Sequence, residues 1–286
     1  MGYRIVTDSG CDIDRAILKE WGVDMLSLSF RFTDDEKSYT EADMPIDEFY
    51  AHMKAGRVAK TSAVNSESFK ESFESYLKAG EDVLYLGFSS GLSSTFSAAF
   101  LAAKALSEEY PERKLIAVDT LAASAGQGLL VYLAAEKQKA GASMEEVAEY
   151  IEANKLKLAH WFTVEDLVYL KRGGRVSAAA AFFGNLIGIK PVLHVDNEGH
   201  LIAMQKVRGR RTSLNTIIEK YGETVIDKEA PIFISHAVCQ ADVDYVVSEI
   251  EKRYGAKVTL VTNVGAVIGS HSGPGTFAFF FLAKER

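Results

Sequence analysis

An α/β fold built on a parallel sheet is predicted for the first half of this 286-residue chain. Short runs rich in Val, Ile, Leu and Tyr alternate there with longer stretches of 3.6-residue apolar periodicity, the pattern of strands covered by helices on both faces. Each run ends in Ser, Thr, Asp or Gly, at the carboxyl edge where an open parallel sheet binds ligands. The second half departs from this alternation. It holds a hairpin around Asp196-Asn197-Glu198-Gly199 and a later strand–helix–strand unit, so an α+β arrangement is expected there, with the change of pattern at about residues 155–160.

The elements follow in order. Residues 3–7 open the chain as a strand that ends in Asp8-Ser9-Gly10-Cys11-Asp12, a polar cluster expected to cap a helix over 13–21. Residues 25–32 alternate like a strand. A helix at 46–54 begins behind Asp43 and Pro45. Residues 60–65 read as a polar loop, 67–79 as a helix stopped by Gly80, and 82–88 as a strand. The loop Ser89-Ser90-Gly91-Leu92-Ser93-Ser94-Thr95 leads into a helix whose Phe96, Ala99, Phe100, Ala103 and Leu106 share one face. A strand at 114–118 precedes a small-residue helix over 125–140. Ser143 and Glu146 form a capping box for the helix 144–154. Further on, 161–163 reads as a strand, 165–170 as a helix, and Lys171-Arg172-Gly173-Gly174-Arg175 as a turn. Residues 191–195 pair with 200–207. The strands 231–236 and 257–262 flank a helix lined by Val243, Val246, Val247, Ile250 and Tyr254, and 276–283 closes the chain as a buried strand.

Composition narrows the function. Hydrophobic residues are 48% and charged residues 25%, ordinary for a globular chain with material for a core and a cavity. A net charge of −7 with no basic stripe argues against nucleic-acid binding. Cys11 and Cys239 form no CxxC pair, and two buried thiols are favoured over one disulfide. The N-terminus runs directly into a strand without a signal-peptide core, Val6 fails a myristoylation signal, and the apolar run at 276–283 is too short for a bilayer. A cytoplasmic protein is expected. No metal-ligand spacing or dinucleotide fingerprint is present, so no cofactor is expected.

Three clusters could carry chemistry. Ser89 to Thr95, with Thr7-Asp8-Ser9, Asp119-Thr120 and Thr61-Ser62, brings hydroxyls and helix N-terminal amides to one rim, a setting for an anion. Gly87-Phe88-Ser89-Ser90-Gly91 also matches the G-x-S-x-G elbow of serine esterases. Asp119 or Asp166 followed by His236 or His271 would complete a triad in the right order, although no HGGG-type segment precedes it. Arg172 and Arg175 flank glycines that allow a left-handed, anion-binding turn. Last, His271 stands inside a glycine-dense stretch, 265–275, that implies close backbone packing.

Taken in order, these motifs resemble the DegV family, in particular its fatty-acid-binding FakB-type members. Asp8-Ser9-x-x-Asp12, Thr61-Ser62, Ser89-Ser90-Gly91-Leu92-Ser93, Asp119-Thr120 with Ser124 and Gly126-x-Gly128, the 170–176 segment ahead of Ile189-Lys190-Pro191, and His271 in Gly269-x-His271-x-Gly273-Pro274-Gly275 span almost the whole chain. The resemblance implies two lobes, an α/β domain (1–157) and an α+β domain (158–286), with a ligand tunnel between them. It implies that Thr61, Ser62 and Ser93 hold a long-chain fatty acid carboxylate with His271 in the same network. Arg172 and Arg208 would lie near the head group and serve docking of a separate ATP-dependent fatty acid kinase. The chain itself would not be an enzyme, and membrane contact would be limited to transient exchange of the acid.

Two departures bear on the site. Ala63-Val64-Asn65 replaces the family's x-P-S, removing a proline that would fix φ, and Ser94 and Phe96 replace a glycine and a common tyrosine. Energetics assign the parts. About fifteen methylenes at about 0.8 kcal/mol each favour burial of the tail by roughly 12 kcal/mol before association costs. The carboxylate needs donors to replace its water. Residues 178–183 and 279–281 are candidate tunnel lining or plain core.

Overall fold

The computed structural model describes residues 2–176 and 188–286. In chain order its elements are β1 (Tyr3–Asp8), α1 (Arg15–Trp21), β2 (Val23–Leu26), β3 (Ser29–Phe32), α2 (Ile46–Lys54), β4 (Ala59–Ser62), α3 (Ser66–Lys78), β5 (Asp82–Gly87), α4 (Thr95–Glu109), β6 (Leu115–Asp119), α5 (Ala125–Lys139), α6 (Met144–Asn154), β7 (Leu158–Thr163), α7 (Val168–Gly173), β8 (Ile189–Val195), β9 (Leu201–Arg208), α8 (Arg210–Thr224), β10 (Phe233–His236), α9 (Gln240–Tyr254), β11 (Leu260–Asn263), α10 (Ala266–Ser272) and β12 (Phe277–Leu282). A parallel four-stranded sheet, ordered β2-β1-β5-β6, occupies the first half. A six-stranded sheet, β11-β10-β12-β7-β8-β9, occupies the second; it is antiparallel except for β10 beside β11.

Helix α5 explains how the two sheets meet. Residues 125–131 are buried throughout, and their neighbours include Leu84 and Val118 of the first sheet and Phe162 and Phe280 of the second. Small residues make this sandwich fit: a Cβ on Gly126 would lie 2.7 Å from the Phe280 ring, and one on Gly128 2.5 Å from Ile13. On the outer face of the first sheet, α3 and α4 bury Phe69, Phe73, Ala99 and Leu106. On the outer face of the second, α8 and α9 bury Leu214, Ile217, Val246 and Ile250. Arg286 bonds across the two halves, donating to the carbonyls of Leu121, Lys155, Leu158 and Asp196 at 2.7, 2.8, 3.2 and 3.0 Å.

Several sequence expectations are corrected. The strand expected at 25–32 divides: β2 joins the parallel sheet, while β3 turns away and pairs antiparallel with β4. Thr61 therefore sits on a strand opposite Phe30, where a loop was expected. The helix expected at 165–170 forms three residues later, as α7, and takes in Arg172. The capping box at Ser143 and Glu146 forms as expected. On α4, Ala102 is buried in place of Phe100, which is 52% exposed. The glycine-dense stretch contains α10, and α8 was not anticipated, though Leu214, Ile217, Ile218 and Tyr221 have helical spacing. Cys11 and Cys239 are both free thiols, the first buried and the second partly so. Among the described residues no helix is long and apolar enough to cross a membrane, and no cluster of His, Cys, Asp or Glu is arranged to hold a metal.

Candidate functional site

A cavity of about 220 Å³ lies between the carboxyl ends of the parallel strands, one face of the second sheet, and α10. Leu28, Phe88, Leu92, Phe162, Val267 and Ile268 supply much of its apolar wall. Thr61, Ser93, Arg175 and His271 give it polar groups. The buried Asp8 carboxylate secures the floor: Tyr85 Oη donates to it at 2.6 Å, and the Phe88 and Gly10 amides each donate at 2.9 Å. These bonds tie the end of β1 to the start of the loop that carries Ser93.

Thr61 Oγ1 and His271 Nε2 lie 2.8 Å apart, joining β4 to α10. Burial first, and the nearby Arg175 charge second, push the His271 pKa down to about 4, so its imidazole is neutral at neutral pH. In the tautomer that carries its hydrogen on Nε2, His271 donates to Thr61 and leaves the threonine hydroxyl hydrogen free for a ligand oxygen. Ser93 precedes α4; its Oγ accepts from the Thr95 amide at 3.2 Å and lies 2.8 Å from Thr95 Oγ1. If Thr95 donates, the Ser93 hydrogen is likewise free. The α4 N-terminus behind Ser93 favours negative charge. A neutral imidazole, two hydroxyls and a helix N-terminus make a site suited to an anion.

The remaining expected site residues are placed differently. Ser62 is exposed, paired with Ser29 on β4, and faces away from the cavity because neighbouring strand residues alternate in direction. Arg172 and Arg208 are exposed and do not line it; the Arg172 guanidinium lies 5.9 Å from the Tyr169 ring. Arg175 is the arginine at the cavity, donating to the carbonyls of Gly173 and Leu92 at 2.5 and 3.4 Å. Of the left-handed turn predicted there, Gly174 adopts φ 68°. Gly173 instead leaves room for His271. The Ser89 hydroxyl is buried and donates to Gly199 O at 2.9 Å, and it accepts from the Gly91 amide; among the described residues neither His236 nor His271 bonds to it. Residues 279–281 lie in the core and Ala278 lines the cavity instead; residues 178–183 fall outside the described residues.

Sequence reasoning missed a second polar group in the same cavity, formed by Ser124, Ser235 and His160. Ser124 Oγ donates to Asp12 Oδ2 at 2.5 Å and lies 2.8 Å from Ser235 Oγ. The available signal was a polar residue between apolar ones in each strand, Ala159-His160-Trp161 and Ile234-Ser235. Burial pushes the Asp12 pKa from 3.8 up to about 7, against the Ser124 hydrogen bond, which pulls it down. The folded protein therefore holds a proton on Asp12 that the unfolded chain loses above its ordinary value. The stability this contributes is complete below pH about 4 and is lost as pH rises to about 7. Asp12→Asn cannot ionise, so it should gain on the wild type across that window and run parallel above it. Urea midpoints for both proteins from pH 4 to 8 check this, and parallel profiles throughout would refute it.

Fold and site define a two-sheet α/β protein with a cavity that is largely apolar and carries polar groups at Thr61, Ser93 and His271. The chain belongs to the DegV family, whose profile matches residues 3–284. It is 40% identical to a DegV domain-containing protein of Clostridium perfringens, over 99% of this chain and 98% of that one. It is 33% identical to a fatty acid-binding protein of Thermotoga maritima, over 100% and 99%. A fatty-acid-binding DegV family protein of Thermus thermophilus superposes with a TM-score of 0.88 at 31% identity, covering 99% of this chain and 100% of that one.

Proposed function

We propose that this protein binds one long-chain fatty acid and presents its carboxylate to a separate ATP-dependent fatty acid kinase, in the cytoplasm and without catalysis of its own. The observation that carries the reading is the Thr61–His271 hydrogen bond at a largely apolar cavity that Ser93, just before α4, also lines. The fatty-acid-binding relatives support it. Tail burial drives affinity, and the hydroxyls replace the carboxylate's water and orient it. The cavity of about 220 Å³ is below the roughly 300 Å³ of a small ligand pocket, so a long tail requires its walls to part. Arg172 and Arg208, exposed on α7 and β9, are available for docking the kinase. The free thiols of Cys11 and Cys239 support a reducing compartment.

Native mass spectrometry of the purified protein tests the reading, with an added mass of one fatty acid expected. A bare protein that takes up neither oleate nor palmitate would overturn it. Thr61→Val with Ser93→Ala should weaken binding by about 3 to 5 kcal/mol, because two hydrogen bonds to a charged group are lost while the tail still binds. Capture of a kinase that is lost on Arg172→Ala would support the docking role.

A further inference from the structure

A plain acyl chain has no use for the polar group at one end of this cavity wall, Ser124 and Ser235. Asp12, Ser124 and Ser235 come from the turn after β1, the start of α5, and β10, and none is more than 8% exposed. Ser124 Oγ donates to Asp12 Oδ2, and with its proton committed there it accepts from Ser235. The chain of bonds thus ends on a Ser235 oxygen with acceptor capacity left over at the cavity wall. Hydrogen-bond chains of this kind polarise each successive hydroxyl. Asp12 and Ser124 both hold positive φ, 53° and 55°, a conformation that is costly for non-glycine residues and persists where the surroundings impose it.

A second unmet group lies on the same sheet face. His160 is 3% exposed and lines the cavity, and its Nδ1 has no hydrogen-bond partner among the described residues. In register, Ser235 stands beside Ala278, Ala278 beside Phe162, and His160 two residues from Phe162. The wall therefore carries polar atoms at two places, and a hydrocarbon tail would leave His160 Nδ1 buried without a partner among the described residues, at a cost.

We infer that Ser235, positioned by Asp12 through Ser124, accepts a hydrogen bond from a hydroxyl on the bound chain, so that the preferred ligand class is the hydroxylated long-chain fatty acid. This rests on the fatty-acid reading above and deepens it. The test is competitive binding of stearate and of monohydroxystearates that differ in hydroxyl position. The expected result is a narrow range of positions that bind roughly three- to tenfold tighter than stearate, the worth of one buried hydrogen bond. Ser235→Ala should bring that ratio close to one, and Ser235→Cys, a weaker acceptor of similar size, should reduce it if the alanine variant does not fold. A flat positional profile in the wild type, with stearate bound, would overturn this inference alone, as would a preference that survives in Ser235→Ala. Failure to bind any of these acids would bring down the fatty-acid reading as well.

Discussion

Asp8→Ala is expected to destabilise the fold by about 4 kcal/mol. The Asp8 side chain is fully buried, with no cation beside it among the described residues; burial raises its pKa despite the hydrogen bonds that pull it down. Its partners are the Tyr85 hydroxyl and the amides of Phe88 and Gly10. Alanine leaves those three donors buried and unpaired at about 1–3 kcal/mol each, offset in part because a carboxyl no longer has to be buried. The strand end that leads to Ser93 then loses its anchor, so fatty acid binding should fall together with stability. Urea denaturation and binding titrations on the same variant check both parts. A stability loss below about 1 kcal/mol would mean that other contacts hold the β1 and β5 ends together.

Gly173→Ala should have the opposite balance: a fatty acid affinity at least about tenfold lower, with little change in melting temperature. A Cβ at residue 173 would lie 2.4 Å from His271 Nδ1 and 3.2 Å from its Cγ, too close for both to stay. The imidazole must withdraw, and the 2.8 Å bond to Thr61 breaks. Helix α7 itself accepts alanine, which has higher helix propensity than glycine. Gly174→Ala is the control. That residue has φ 68° and open space around it, so alanine there costs about 1–2 kcal/mol of backbone strain and should leave binding intact. If both variants bind as the wild type does, His271 does not orient the head group.

Much of this was legible in the sequence because it depends on local periodicity. The alternation of strands and helices, the Ser143 capping box and the hydroxyl-rich strand ends are set by residues within a few positions of one another. Thr61, Ser93 and His271 could be singled out because their motifs are short and contiguous. What failed depended on distant partners. β4 is four residues, two of them polar, and becomes a strand only because Ser29–Phe32 pairs with it. Helix α10 was hidden by its glycines, whose reason is remote: a Cβ on Gly269 would meet the Tyr50 hydroxyl at 2.4 Å, and one on Gly265 the Asp12 carboxylate at 2.6 Å. Arg175, rather than its neighbour Arg172, reaches the cavity because α7 continues through Gly173 and turns at Gly174.

By itself the sequence determined the α/β class, the family and the hydroxyls that a carboxylate could use, since each is written in adjacent residues. Only the tertiary structure decided that Thr61 meets His271 across 210 positions, and that Asp12, Ser124 and Ser235 join into one buried chain. The first forms where α10 packs on β4 and the second at the start of α5 between two sheets, and close approach between remote segments has no periodic signature along the chain.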